Sequence, residues 1–273
     1  GDLAITPLLS KDSRFKPEDF PDLPPLRQVE VKLLIARTNS AGQAKLWAES
    51  CSRIPNVQAV NMSVGVPGGF GFQSDVLVPL NVYKNSISWA RTFFDYVTQN
   101  FTHVLIEAEK SIFGILFQGD LVREVNALRA AGSKVALVSH GSDLRSPQKH
   151  RENEIDSPFF SNIWDATERL EALTKANEKL LFELDCPVFI PTVDLFLDQP
   201  EATWIPIVAE VALWRSSHPV LHRKVPVVVH APSKAAVKGT DLIGPTLEAL
   251  HSKGLIRYLE VTGVPQEELR GII

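Results

Sequence analysis

The sequence has little cysteine and no long apolar run. Cys51 and Cys186 stand far apart within apolar patterns, so nothing indicates a disulfide framework or a zinc site. The low number of cysteines favours a reducing compartment, and we predict a cytoplasmic location. No stretch approaches the roughly 18 uninterrupted apolar residues of a membrane span, and GDLAITPLLS at the start lacks the layout of a signal peptide. We therefore expect that the protein neither spans a membrane nor is secreted.

A basic surplus is also missing. The sequence has 28 Lys and Arg against 32 Asp and Glu, for a formal net charge of -4. Proteins that bind the phosphate backbone of nucleic acids normally carry an excess of positive charge, so no nucleic-acid partner is expected. The chain has 273 residues, of which 44% are hydrophobic and 22% charged. This composition is typical of a globular protein with one large or two medium domains.

Apolar runs alternate with helical patterns along most of the chain. Such alternation predicts an α/β fold with a parallel sheet and right-handed crossovers. The first 207 residues are predicted to form one Rossmann-like domain. The predicted strands cover 29–36, 57–62, 75–83, 103–108, 134–140, 186–192 and 202–207, and the predicted helices cover 43–53, 85–100, 118–131 and 157–185.

The periodic spacing of apolar residues weakens over residues 208–224, which we interpret as a linker. Residues 225–273 then offer only two strands, a helix and the start of another helix. A parallel sheet needs several strands with both faces covered. This piece is therefore expected to be the incomplete beginning of a second Rossmann-like domain.

Polar loops follow two of the predicted strands. One is RTNSAGQ (37–43) and the other is SHGSDLRS (139–146). Ligands of open α/β sheets bind beyond the carboxyl ends of the strands, which makes both loops site candidates. The alternative for the second loop is an ordinary strand exit in which Asp143 starts a helix. A glycine-rich segment, VGVPGGFGF (64–72), is predicted to be a flexible loop, and whether it touches substrate stays open.

Four motifs occur in order, each at a predicted strand end: RTNSAGQ, SHGSDLR, ATWIPI and HAPSKAAVKGTD. Together they resemble nucleotide-sugar-dependent glycosyltransferases of the two-domain GT-B type, in the large retaining group (family 4-like). The resemblance extends from about Val29 over nearly the whole chain. It implies an N-terminal domain that shapes the acceptor site, facing a C-terminal domain that binds the donor across a cleft.

The resemblance also implies roles for individual residues. His140 would be the catalytic-site residue that positions the transferred sugar. The residues that would contact substrate are Asn39, Ser40, Ala41, Gly42, Gln43, Gly141, Asp143 and Arg145. The donor phosphates would be bound by Ser233, Lys234, Lys238 and Gly239. Structural alternatives remain: Asp143 caps a turn, Arg145 pairs on the surface, and the two lysines are solvated.

The implied reaction moves a sugar from a nucleoside diphosphate sugar to a hydroxyl acceptor with retention of configuration. Basic residues and backbone N–H groups would stabilise the leaving diphosphate. No metal or other cofactor is then expected, since the sequence has no Asp-x-Asp ligand cluster. Two alternatives stay open: a truncated, non-catalytic accessory subunit, and another two-domain enzyme such as a nucleotide-sugar epimerase.

A local basic cluster follows the second polar loop. It could attract a phosphorylated acceptor or support peripheral contact with a membrane, at about 1 kcal/mol per cation. The alternative is a solvated helix face neutralised by neighbouring acidic residues. The cluster consists of Arg145, Lys149, His150 and Arg151, and the acidic neighbours are Glu152, Glu154 and Asp156.

Overall fold

The computed structural model describes residues 21–65, 71–160, 166–215, 222–233, 235, 238–264 and 266–272. These residues fall into two compact units. The first unit contains the described residues up to Lys149 together with Arg169–Val208. The second contains His150–Glu168 and the described residues from Ala209 onward.

In the described part of the first unit, seven strands form one parallel sheet. They are β1 (Val31–Arg37), β2 (Val57–Gly65), β3 (Val76–Pro79), β4 (His103–Glu107), β5 (Lys134–Val138), β6 (Val188–Ile190) and β7 (Thr203–Trp204). The strand order is β3-β2-β1-β4-β5-β6-β7, and all neighbouring strands run parallel. The predicted α/β fold with a Rossmann-like parallel sheet is confirmed at this level.

Helices connect successive strands and flank the sheet. Those of the first unit and its connections are α1 (Gln43–Ser52), α2 (Leu80–Asn85), α3 (Ile87–Asn100), α4 (Leu121–Ala130), α5 (Pro147–Asn153) and α6 (Thr167–Leu184). Side chains fix two of their starts. Ser86 Oγ accepts a hydrogen bond from Trp89 N at 3.2 Å, and Asp120 Oδ1 accepts one from Arg123 N at 3.0 Å. The cap at Asp120 explains why α4 begins three residues later than the predicted helix.

Apolar side chains cover both faces of this sheet. Successive residues of β1 point to opposite faces, so Leu34 and Ala36 join one buried cluster and Ile35 joins the other. The larger cluster contains the aromatic stripe of α3, in which Trp89 stacks on Phe93 with ring centroids 5.4 Å apart. Helices on both faces are what a fully parallel sheet requires.

The second unit contains a smaller parallel pair of strands, β8 (Val227–His230) and β9 (Arg257–Glu260), joined through α8 (Thr240–Ser252). Its other helices are α7 (Val211–Trp214) and α9 (Gln266–Ile272). The strands here are at best half-buried, as expected where a small sheet has little cover. The predicted domain boundaries and the two-domain GT-B arrangement stay predictions.

Two predicted loops differ in detail from the structure. Val64 and Gly65 belong to β2 rather than to a loop, because their register with β3 continues to Pro79. Residues 66–70 of that segment lie outside the described residues. Within the predicted linker, α7 forms a short helical turn.

Candidate functional site

The chain direction across the sheet reverses between β1 and β4. From β1 the chain runs outward through β2 to β3, whereas β4 is followed by β5, β6 and β7 on the other side. In open parallel sheets, the loops on either side of such a switch point diverge and leave a crevice where ligands bind. The loop after β1 and the end of β4 therefore define the candidate site.

Glu107 connects the two polar loops at this point. It is the last residue of β4, and its side chain is completely buried. Its Oε2 accepts hydrogen bonds from the backbone N–H groups of Thr38, at 2.8 Å, and Asn39, at 2.9 Å. Its Oε1 lies 3.1 Å from His140 Nε2. One carboxylate thus fixes the loop after β1 and the histidine after β5.

The contact with Glu107 determines which nitrogen of the His140 ring carries a proton. Burial alone would raise the pKa of Glu107, but the hydrogen bonds from His140 and from the two backbone N–H groups hold it below its ordinary value of 4.5. An ionised carboxylate only accepts hydrogen bonds, so His140 must carry a proton on Nε2. In the neutral ring, Nδ1 is then a hydrogen-bond acceptor.

The His140 ring is also held through its face. It stacks on Trp47 with ring centroids 5.8 Å apart and an angle of 11° between the planes. Trp47 in turn donates from Nε1 to the Pro206 carbonyl at 3.0 Å. Only 14% of the His140 side chain is exposed, so both the position and the orientation of the imidazole are restricted.

Asp143 closes the loop that carries His140. Its carboxylate accepts from the backbone N–H of His140 at 2.8 and 3.0 Å and from that of Gly141 at 2.5 Å. It does not start a helix, because the next helix, α5, begins at Pro147. Asp143 is itself 7% exposed, so the side chain shapes the loop from inside.

The predicted contact residues after β1 have different surroundings. Asn39 is buried, with Nδ2 donating to Gln73 O at 2.9 Å and Oδ1 accepting from Lys45 N at 3.2 Å. The Gln43 amide pairs with both backbone polar groups of Val208. Both side chains thus stabilise the protein itself.

Ser40, Ala41 and Gly42 form a short turn that leads into α1. Gly42 has φ of 75°, and a Cβ added there would lie 3.2 Å from Phe72 Cδ1. Left-handed backbone and close packing both favour glycine at this position. The turn is the part of the loop best placed to meet a ligand through its backbone.

Arg145 and Lys149 of the basic cluster form ion pairs in the first unit. Arg145 contacts Asp194 through Nη2 at 2.5 Å and Nε at 2.7 Å, and Lys149 Nζ lies 3.2 Å from Glu178. These partners come from distant segments and not from the acidic residues next in sequence. Such part-exposed pairs contribute about 0–1 kcal/mol. Membrane contact stays a prediction.

The predicted phosphate-binding residues lie in the second unit, after β8. Ser233 and Lys238 are exposed, and Gly239 has φ of 66° where it precedes α8. His230, at the end of β8, lies with Nε2 2.8 Å from Thr240 Oγ1 at the helix start. Lys234 lies outside the described residues.

Sequence reasoning missed Glu107, Glu109, Trp47 and Asn177. Both glutamates lie in HVLIEAEK (103–110), a segment whose pattern predicts a strand and the start of the loop after it. A charged residue in the last position of a buried strand was the available signal, since ionised groups are seldom buried without partners. Asn177 lies in a long helix, and its sequence neighbourhood gives no sign of a role.

A second buried carboxyl supports the His140 loop. Glu109 Oε1 accepts from Ser139 Oγ at 2.5 Å, and Asn177 Nδ2 lies 3.4 Å from Oε2 while donating to the Asp143 carbonyl at 2.8 Å. Burial and the charge of Asp143 raise the pKa of Glu109 to about 8, although the bond from Ser139 opposes the rise. Glu109 is therefore largely protonated near neutral pH.

We expect Glu109 to make the protein less stable as pH rises. Between the ordinary pKa of 4.5 and the folded value of about 8, the unfolded chain releases a proton that the folded protein retains. The free energy of unfolding therefore declines through this range. In Glu109→Gln the free energy of unfolding should fall less over this range. Denaturant unfolding at about pH 5 and about pH 8 will measure the difference. The exposed Glu183→Gln is the control, and an unchanged decline in Glu109→Gln would contradict the assignment.

Within the described ranges, no group of three or more His, Cys, Asp or Glu side chains is placed to hold a metal ion. No helix in that part of the chain is long and apolar enough to cross a membrane. Comparison of the sequence with models of known protein families and with curated proteins gives no match.

Proposed function

We propose that this protein transfers a sugar from a nucleoside diphosphate sugar to a hydroxyl acceptor with retention at the anomeric carbon. The observation that carries the proposal is His140 at the switch point of the sheet, with its ring fixed by Glu107 and Trp47. An acceptor nitrogen at Nδ1 suits a sugar hydroxyl, which donates one hydrogen bond. His140 would position the donor sugar by this bond.

The reaction breaks the bond between the anomeric carbon and the diphosphate oxygen. The diphosphate leaves with the electron pair, while the acceptor oxygen bonds the same carbon and its hydroxyl proton is released. Negative charge grows on the leaving group, so fixed N–H groups and cations lower the barrier. In the second unit, the glycine turn before α8 would supply backbone N–H groups, and Lys238 beside it would supply a cation.

Replacing Lys238 should weaken the use of the donor. Lys238 is exposed and stands directly before Gly239, so Lys238→Ala removes a charge with little effect on folding. Loss of one charged contact to phosphate, about 1.5 kcal/mol, raises the KM for the donor about tenfold. Steady-state kinetics will measure this. Lys253→Ala, an exposed lysine at the other end of α8, is the control, and equal effects of both substitutions would contradict the assignment.

The decisive test uses the protein in its natural full length. It is incubated with a panel of nucleoside diphosphate sugars, with and without hydroxyl acceptors, and products are identified by mass spectrometry. Sugar transfer that requires an acceptor is the expected result. Conversion of the donor without any acceptor would instead identify an epimerase, and no reaction with binding of acceptor alone would identify an accessory subunit.

A further inference from the structure

A cavity of about 900 Å³ lies beside the loop after β1. This is within the range of sites that hold small molecules. It is bounded by that loop, by the carboxyl ends of β2 and β3, and by α2. The residues that line it are Thr38, Asn39, Ser40, Ala41, Ser63, Val64, Gly65, Gly71, Phe72, Leu77, Pro79, Leu80, Asn81 and Lys84.

The cavity lining has two kinds of surface. Leu77, Leu80 and Phe72 contribute apolar groups, and Leu77 is 56% exposed although it lies in a strand of the sheet. Hydroxyl groups come from Thr38 and Ser40, whose oxygens are 3.1 Å apart. A ligand that matches this lining has an apolar body and a polar, hydroxyl-bearing end, since covering an exposed leucine is favourable in proportion to the area buried.

The polar part of the lining belongs to the candidate site. Thr38 and Asn39 are the residues whose backbone N–H groups Glu107 binds, and Glu107 also holds His140. A ligand in the cavity therefore contacts the loop that the carboxylate fixes. This places the hydroxyl end of the ligand at the loop and its apolar body along β3.

We propose that this cavity binds the acceptor, and that the acceptor is an amphipathic hydroxyl compound with an alkyl or aryl body. The inference rests on the proposed sugar transfer and names the substrate class for it. The apolar body lies against Leu77 and Leu80, and the hydroxyl end faces Thr38 and Ser40.

Two substitutions change the cavity without touching the Glu107 and His140 pair. Leu77→Ser makes the apolar part polar, and Ile54→Ser is its matched control, because Ile54 is equally exposed at 55% and does not line the cavity. Gly65→Leu fills the cavity. A Cβ at Gly65 would meet Leu77 Cδ1 at 3.6 Å and Val78 O at 3.7 Å, which are ordinary contacts.

The probes are octyl and methyl glucoside, each below any micelle-forming concentration, and binding to the natural full-length protein is measured by calorimetry. The octyl compound is expected to bind at least about tenfold more tightly, since burial of several CH₂ groups strengthens binding. Leu77→Ser and Gly65→Leu should each weaken octyl binding about tenfold, whereas Ile54→Ser should not. Equal binding of both glucosides, or equal losses in Leu77→Ser and Ile54→Ser, would overturn the inference.

Transfer to the same glucosides separates this inference from the proposed function. Sugar transfer at equal rates to octyl and methyl glucoside would leave the transferase standing and reject the amphipathic acceptor. Preferential transfer to octyl glucoside, lost in Leu77→Ser, supports both. Octyl-selective binding without transfer to any acceptor would reject the transferase and with it the acceptor role of the cavity, while showing that the cavity takes an apolar ligand.

Discussion

His140→Ala is expected to lower sugar transfer by about 100-fold and to leave the protein folded. Misplacing a reacting group by about 1 Å can cost this factor. The variant lacks the ring that would position the donor sugar, which Glu107 and Trp47 hold in place in the natural protein. Glu107 keeps its bonds to Thr38 and Asn39, so the loop after β1 stays in place. Turnover at saturating donor and acceptor is the measurement.

The loss of stability should be modest in His140→Ala. Glu107 Oε1 is left without its partner, which costs about 1–3 kcal/mol. His103→Ala provides the control, because His103 begins β4 at the opposite end of the strand from Glu107. Near-normal transfer by a folded His140→Ala protein would refute the assignment of this loop to the site.

Glu107→Gln is expected to keep the fold and lower transfer by about 10- to 100-fold. The amide oxygen can still accept from the Thr38 and Asn39 N–H groups, whereas the amide nitrogen then faces His140 Nε2. Two donors cannot bond each other, so the neutral ring must carry its proton on Nδ1 instead. Loss of one hydrogen bond of about 1.5–3 kcal/mol to the substrate gives this factor.

The ring protonation can be measured apart from activity. Nitrogen NMR shifts of a ¹⁵N-histidine-labelled protein should report Nε2–H in the natural protein and Nδ1–H in Glu107→Gln. A structural role alone would leave the tautomer unchanged. Unaltered turnover together with an unaltered tautomer would show that Glu107 does not position the histidine.

Glu107→Ala tests how much Glu107 stabilises the fold, apart from its role in positioning His140. It leaves two backbone N–H groups without their acceptor in a buried site, so its free energy of unfolding should fall by about 3–5 kcal/mol. The pKa of Glu107 lies below 4.5, so its contribution is complete above that pH and disappears as the pH falls through the lowered pKa. Denaturant unfolding against pH will show this acid dependence in the natural protein and its absence in Glu107→Gln.

The two substitutions should not be additive if the residues act as a pair. A double-mutant cycle with Glu107→Gln and His140→Ala tests this directly. Once the ring is absent, changing Glu107 to glutamine should have little further effect on transfer. Full additivity of the two losses would indicate independent roles.

The sequence by itself determined the order of the seven strands of the first unit, four of its helices and the position of the two polar loops. It did not indicate α2, which lies largely within the predicted strand segment 75–83, or α5. The predicted features depend on local patterns: apolar runs such as VALV form strands, and the helical spacing of Ile87, Ala90, Phe94 and Val97 indicates α3, although the structure buries Trp89 and Phe93 with Ala90 and Val97. Because ligand sites of parallel sheets lie at strand ends, the segments RTNSAGQ and SHGSDLRS were identified without any knowledge of contacts.

Only the tertiary structure decided what the side chains in those loops do. Glu107 meets Thr38 across 69 residues of sequence, and Gln43 meets Val208 across 165. Pairings over such separations arise from the order of strands in the sheet, which a single sequence does not specify. The carboxylate that fixes His140 was therefore found only after β4 had been placed between β1 and β5, because a buried charge is stabilised by the partners that the fold brings to it.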